Sequence, residues 1–297
     1  MTTTRRKPGP VRLLISCFLL LSLASAAQGQ ESSGANVDGH LVREAFVEVH
    51  GINLHYKLVG DGPPLLLLHG FSLAGAWWNP LIGDLATRNT LIIPDLPGHG
   101  RSTRHDGPYL YAQVATDLFS LLDHLDIDTF NAIGYSAGVQ ILLHMGTREP
   151  GRVKAMILMS STPGTTDELR DMVSNWPDRE DNSPALQEFW RRHHPGGEKQ
   201  IQTLIDDLRS LGKDNGNVEF TGDQLIEIDA RTLIVVGDGD PFAPLDLALD
   251  FRQALLDSHI WVIPAQGHTP IWPDFGGSAH FQKIFPSVAN EFLHGTD

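Results

Sequence analysis

The sequence predicts an α/β fold: a mostly parallel β-sheet flanked by helices, with a helical cap inserted in the second half of the chain. Three observations carry that expectation. Six short, nearly continuous apolar runs read as strands buried on both faces: "PLLLLHG" (64–70), "NTLIIPD" (89–95), "FNAIGY" (130–135), "VKAMILMSS" (153–161), "RTLIVVGD" (231–238) and "HIWVIP" (259–264). Several of the gaps between them suit helices. One gap, 163–229, lacks a strong strand signal and is too long for a connecting loop.

Taken in order, the first thirty residues differ from the rest. Arg5, Arg6 and Lys7 precede an apolar stretch, "VRLLISCFLLLSLASA", that ends in small residues, which is the order of a secretory signal peptide. A membrane anchor is the competing reading, but the run is shorter than the roughly 18 to 20 apolar residues a span needs, and polar "QGQESSGANVDG" follows. Residues 1–30 are therefore expected to be removed after Ala26 or a few residues later, and the mature protein to be exported, periplasmic or secreted, with no membrane span. "LISC" loosely resembles a lipoprotein box, yet most of the apolar run lies after Cys17, which argues against lipidation there.

Cys17 is the only cysteine, so the mature chain has no thiol and must draw its stability from a core. Removing the segment with its four cations takes the formal charge from −14 to −18. A protein this acidic lacks the electrostatic footprint for nucleic acid. About 270 residues remain, enough for one large domain or a domain with an insertion. The expected organisation is a first core part over 31–162, a helical cap over 163–229 and a second core part over 230–297.

Two alternating segments, "REAFVEVHG" and "INLHYKLVG", read as an antiparallel hairpin through Gly51. Leu110, Val114, Leu118, Leu121, Leu122 and Leu125 form one apolar helical stripe. "PLDLALDFRQALL" and "AHFQKIFPSVANEFL" look similar, the second bent or broken at Pro286. Within the cap interval, "TDELRDMVSNW", "ALQEFWRRHH" and "KQIQTLIDDLRSLG" are polar and helix-like.

Ser136 lies between Gly134 and Gly138 inside an apolar run, "FNAIGYSAGVQILLHM". Glycine costs backbone entropy in a strand or a helix alike, so the pattern needs a reason. A strand ending at Gly134 and Tyr135, and a helix starting at Ala137 and running through Leu143, supply one. Small residues at 134 and 138 let strand and helix approach closely, and Ser136 is forced into a strained turn that lifts its hydroxyl above the sheet. A small-residue packing contact is the plainer explanation of such a motif in a chain with 29 glycines; the strand–turn–helix context favours a nucleophile.

At this point the sequence resembles the α/β-hydrolase fold superfamily, over nearly all of the mature chain and in the manner of its small, capped, serine esterase-like members. The resemblance rests on "LLLLHGF" (65–71), "PDLPGHGRS" (94–102), "AIGYSAG" (132–138) and "VVGDGDPFAP…GHTP" (235–270), in the expected order. It implies a Ser-His-Asp triad with Ser136 as nucleophile, His268 as general base and an acid after the strand at 231–237. Asp238 and Asp240 both follow that strand. The family position just before the proline favours Asp240, leaving Asp238 as a turn-forming aspartate. The oxyanion hole is expected from the backbone N–H groups of Phe71 and Ala137.

The implied function is hydrolysis of a small carboxylic ester through an acyl-enzyme, on a small-molecule substrate and without metal or organic cofactor. The same triad also serves perhydrolases of the haloperoxidase kind, amidases and hydrolases of carbon–carbon bonds next to a ketone. A catalytically silent binding protein is the remaining alternative, and no triad member is missing to favour it. His69 and His99 are expected to be structural, and His193 with His194 to form a surface pair without further metal ligands. Trp77, Trp78, Trp176, Trp190 and Trp272 are candidates for an apolar pocket, with core packing the default for each. The sequence leaves the oligomeric state open.

Overall fold

Strand β4 (Pro64–Leu68) shows why the sheet forms where it does. Leu65 and Leu67 pack on one face, Leu66 and Leu68 on the other, and all four are fully buried. A run with no polar face is stable only between two layers. The computed structural model describes residues 36–164, 166–213 and 219–295; the expected signal peptide lies outside them.

The chain opens with β1 (Asn36–Val37), β2 (His40–Val49) and β3 (Ile52–Val59), and β2 and β3 form the expected antiparallel hairpin. After β4, a 3₁₀ turn (Gly75–Leu81) leads into a short helix α1 (Ile82–Leu85), then β5 (Thr90–Pro94), α2 (Tyr111–His124), β6 (Phe130–Tyr135), α3 (Ala137–Arg148) and β7 (Val153–Met159). Four helices follow without a strand among the described residues: α4 (Asp167–Ser174), α5 (Pro184–His193), α6 (Gly197–Lys213) and α7 (Gly222–Leu225). The chain then completes the sheet with β8 (Arg231–Gly237), α8 (Leu245–Ala254), β9 (Ser258–Ile263) and α9 (Ala279–His294).

The sheet order is β1-β2-β3-β5-β4-β6-β7-β8-β9, antiparallel from β1 to the β3–β5 pair and parallel from there on. Apolar stripes of α2, α3 and α8 cover one face, with Leu118, Leu142 and Phe251 buried there. The 3₁₀ turn, α1 and α9 cover the other, through Trp78, Leu85 and Phe285. The order reverses at β4, which has β5 on one side and β6 on the other. In open α/β sheets, the crevice beyond the carboxyl ends of strands at such a reversal is where ligands bind.

The structure sharpens two local expectations. Helix α9 is not broken at Pro286: it runs unbroken from Ala279 to His294. The proline removes the bond to the Gln282 carbonyl, but Phe285, Ala289 and Leu293 are buried against the sheet and hold the helix through it. Helix α3 runs past Leu143 to Arg148, because its last turns also pack; a Cβ on Gly146 would lie 3.3 Å from Ile228.

Candidate active site

The turn at Ser136 follows from two close approaches. A Cβ built on Gly134 would lie 2.8 Å from the Gly138 carbonyl carbon and oxygen, and one on Gly138 would lie 2.5 Å from the Leu68 carbonyl oxygen. Strand β6 therefore passes straight into α3 with no room for a side chain on either side. Ser136 absorbs the bend at φ +52°, ψ −116°, a region that L-residues rarely occupy. Its N–H donates to the Met159 carbonyl and its own carbonyl accepts from Val139, which holds the strained residue in place.

A second close approach brings the other two chemical groups together. Gly237, at the end of β8, has no space for a Cβ because the Gln266 carbonyl oxygen would sit 2.3 Å from it. Gly239 N–H donates to that same carbonyl at 2.9 Å. The turn after β8 and the loop after β9 are thus pinned together, and Asp240 meets His268. His268 Nδ1 lies 3.1 and 3.0 Å from the two Asp240 carboxylate oxygens, and His268 Nε2 lies 3.1 Å from Ser136 Oγ. Asp240 is buried and also accepts from Phe242 N–H at 2.8 Å, whereas Asp238 is exposed. Nδ1 is therefore the proton-bearing nitrogen, since a carboxylate only accepts, and Nε2 is left facing the serine hydroxyl.

Phe71 and Ala137, both expected from sequence, line the same cavity as Ser136 and His268. Ala137 is the first residue of α3, so its N–H has no partner within that helix. The Gly138–Leu68 contact presses the start of α3 against the end of β4, three residues before Phe71. The cavity has a volume of about 280 Å³ and lies between the carboxyl ends of the strands and helices α4 to α6. Leu169, Val173, Leu186 and Leu208 close it from the helical side.

Of the five tryptophans named as pocket candidates, Trp77 and Trp176 line the cavity, while Trp78, Trp190 and Trp272 are buried and not among its lining residues. Trp77 stacks on Tyr135 at 5.3 Å and on Trp272 at 4.4 Å.

Several neighbours of the site were not legible in the motifs. The His268 ring is flanked by Phe242 at 4.5 Å and Tyr135 at 5.4 Å, and the Tyr135 hydroxyl donates to the His268 carbonyl at 3.2 Å. Burial pushes that phenol well above its ordinary range, so it stays a donor. His69 and His99 occupy structural positions, each with a fixed tautomer. His69 Nδ1–H donates to the Gly70 carbonyl at 2.8 Å and Nε2 accepts from Leu96 N–H at 3.0 Å. His99 Nδ1–H donates to the Pro97 carbonyl and Nε2 accepts from Ser72 N–H. Burial lowers His69 to about 4 and His99 well below an ordinary imidazole, so both are neutral.

The expected surface pair on α5 is not one. His194 is 2% exposed and its Nε2–H donates to the Ser72 carbonyl at 3.0 Å, because Trp190, a turn earlier, is driven into the interior and takes the end of the helix with it. Among the described residues, no group of three or more His, Cys, Asp or Glu is placed to hold a metal ion, and no helix is long and apolar enough to cross a membrane.

With this sheet order and this site, the family model for the alpha/beta hydrolase fold matches residues 63–192. The chain has the α/β-hydrolase fold. A pimeloyl-acyl-carrier-protein methyl ester esterase of Vibrio parahaemolyticus is 27% identical over 239 residues, 73% of this chain and 92% of that protein. An uncharacterised protein of Mycobacterium tuberculosis is 35% identical over 122 residues, 41% of this chain, and the match spans only 36% of that relative's length. The structure of a 2-hydroxy-6-oxo-6-phenylhexa-2,4-dienoate hydrolase from a Rhodococcus species superposes with a TM-score of 0.71 at 20% identity, over 85% of this chain and 99% of that one. At that identity the likeness is one of fold.

Proposed function

We propose that this α/β-hydrolase cleaves a small carboxylic ester with Ser136 as nucleophile, His268 as general base and Asp240 as its orienting acid. The observation that carries the reading is the continuous line Ser136 Oγ–His268 Nε2 at 3.1 Å and His268 Nδ1–Asp240 at 3.0 Å. A serine hydroxyl is a weak nucleophile until a positioned base takes its proton.

In this reading Ser136 Oγ attacks the ester carbonyl carbon while His268 Nε2 accepts the hydroxyl proton. The carbonyl oxygen becomes an oxyanion that the N–H groups of Phe71 and Ala137 receive, at the positive end of α3. His268 then gives its proton to the departing alcohol, leaving an acyl-serine. Water attacks that acyl carbon while His268 takes the water's proton, then returns it to Ser136 Oγ as the acyl–oxygen bond breaks, so that the carboxylic acid leaves with Ser136 and His268 restored. Asp240 keeps the imidazole in the tautomer that can accept at Nε2 and stabilises its charged form.

The helices of 163–229 act in this reading as a cap that selects substrate, since Val173 and Leu186 line the cavity with no part in the triad. The same residues suit peracid formation, amide cleavage or carbon–carbon cleavage beside a ketone. A panel of nitrophenyl esters, amides, a peracid assay and a vinylogous ketoacid separates these, with ester turnover expected to dominate. Turnover of the amide or the ketoacid in preference to every ester overturns the ester assignment. Export is part of the proposal: the N-terminal sequence of protein from the native host is expected to begin near residue 27 to 31, and an intact Met1 on the soluble protein refutes it.

A further inference from the structure

Ser72 follows Phe71 directly and sits in the left-handed region at φ +58°, a conformation that only its surroundings can maintain. Three side chains hold it. Its N–H donates to His99 Nε2 at 3.0 Å. Its carbonyl accepts from Trp190 Nε1–H at 2.9 Å and from His194 Nε2–H at 3.0 Å. Trp190 and His194 lie one helical turn apart at the end of α5, and both are buried. These two bonds join residues more than a hundred positions apart, so the helical segment holds this residue of the loop after β4.

One peptide earlier, His69 Nδ1–H holds the Gly70 carbonyl. In a trans peptide the carbonyl and the following N–H point in opposite directions, so this bond also aims the Phe71 N–H. The amide is thereby fixed from two sides: its own peptide by His69, and the residue after it by His99, Trp190 and His194. If the Ser72 carbonyl loses its donors, φ at 72 can relax to a negative value, and the turn that presents Phe71 N–H moves with it.

We propose that Trp190 and His194 are positioning residues for the Phe71 oxyanion donor, so that the segment covering the site also assembles it. The inference rests on the reading of Ser136 as nucleophile and of Phe71 N–H as oxyanion donor. It differs from a substrate-binding role for the same residues in what it predicts: an amide that meets the oxyanion only in the transition state affects kcat and not KM.

The test uses the full chain with Trp190→Phe, which keeps an aromatic ring but removes the N–H together with part of the indole, combined with His194→Phe or with His194→Gln, which retains a donor. Removal of one whole oxyanion donor costs about 10²- to 10³-fold elsewhere, so misalignment is expected to cost less. The expected result for the Phe/Phe variant is a kcat lowered by about 10- to 100-fold with KM within twofold, and amide hydrogen exchange across residues 70–74 faster by about tenfold. The Phe/Gln variant is expected to recover most of both. Unchanged exchange at 70–74, unchanged kcat, or a raised KM at constant kcat each overturns the proposal. Should the Phe/Phe variant not fold, Trp190→Phe alone is expected to lower kcat by about three- to tenfold with faster exchange at 70–74, and no change in either overturns it. Ser136→Ala measured alongside reports on the hydrolase reading separately: retained turnover there brings down that reading, while the exchange result still decides whether Trp190 and His194 hold the loop.

Discussion

A Cβ on Gly138 would fall 2.5 Å from the Leu68 carbonyl oxygen, a contact in which backbone, not a flexible side chain, is the obstacle. That single approach joins the strand carrying the loop of Phe71 to the helix carrying Ala137. Gly138→Ala is expected to destabilise the fold by about 1–3 kcal/mol, as forced overpacking does. It should also lower kcat beyond what lost folded protein explains, because α3 must move away from β4. A variant with wild-type melting temperature and wild-type kcat removes this account of the motif.

The glycines around Ser136 were legible because close packing leaves a mark in sequence: it requires a specific residue type at a fixed spacing. The same holds for the strands, whose continuous apolar runs match a sheet buried on both faces. Trp190 and His194 left no such mark. Their partner is the main chain of Ser72, 118 and 122 positions away, and any residue has a carbonyl. Nor did the sequence distinguish a Pro286 that ends a helix from one that buried neighbours carry through. Long-range burial decided both cases.

Asp240 and Asp238 offer a direct comparison, two residues apart with one carboxylate on the imidazole and the other in solvent. Asp240→Asn is expected to lower kcat by about 10³- to 10⁴-fold with little change in KM, because an amide can bond Nδ1 in the wrong tautomer. Asp238→Asn should stay within about threefold of wild type, since an exposed turn carboxylate touches nothing that reacts. His268→Ala should match or exceed the loss at Asp240. Steady-state kinetics on one nitrophenyl ester decide it; equal and mild effects at 238 and 240 transfer the acid's role elsewhere.

His69 makes stability depend on pH, and the sign can be worked out. Burial lowers its pKa from 6.5 to about 4 in the fold, so between those values the unfolded chain binds a proton that the folded chain refuses. The stability is complete above pH 6.5 and is lost as pH falls toward 4, by about 3 kcal/mol for a shift of this size. His99 and His194, lowered mainly by burial, act in the same direction. Urea midpoints between pH 7.5 and 4 should fall more steeply for wild type than for His69→Asn, which can still donate to the Gly70 carbonyl but does not titrate. Parallel slopes refute the assignment.

Ser136 combines the clearest strain in the site with the proposed chemistry, and two substitutions separate them. Ser136→Ala removes the hydroxyl but keeps a Cβ at φ +52°, so it should abolish ester turnover and fluorophosphonate labelling while leaving stability within about 0.5 kcal/mol. Ser136→Gly also removes the hydroxyl, and glycine occupies this backbone region without a Cβ penalty. Strain at such a residue costs about 1–3 kcal/mol, of which glycine gives part back to the flexibility of the unfolded chain, so a net gain of about 1 kcal/mol is expected. The inactive glycine variant should therefore melt above both wild type and the alanine variant. A glycine variant no more stable than the alanine one would mean the turn is unstrained, and a fluorophosphonate that still labels either variant would place the nucleophile at another residue.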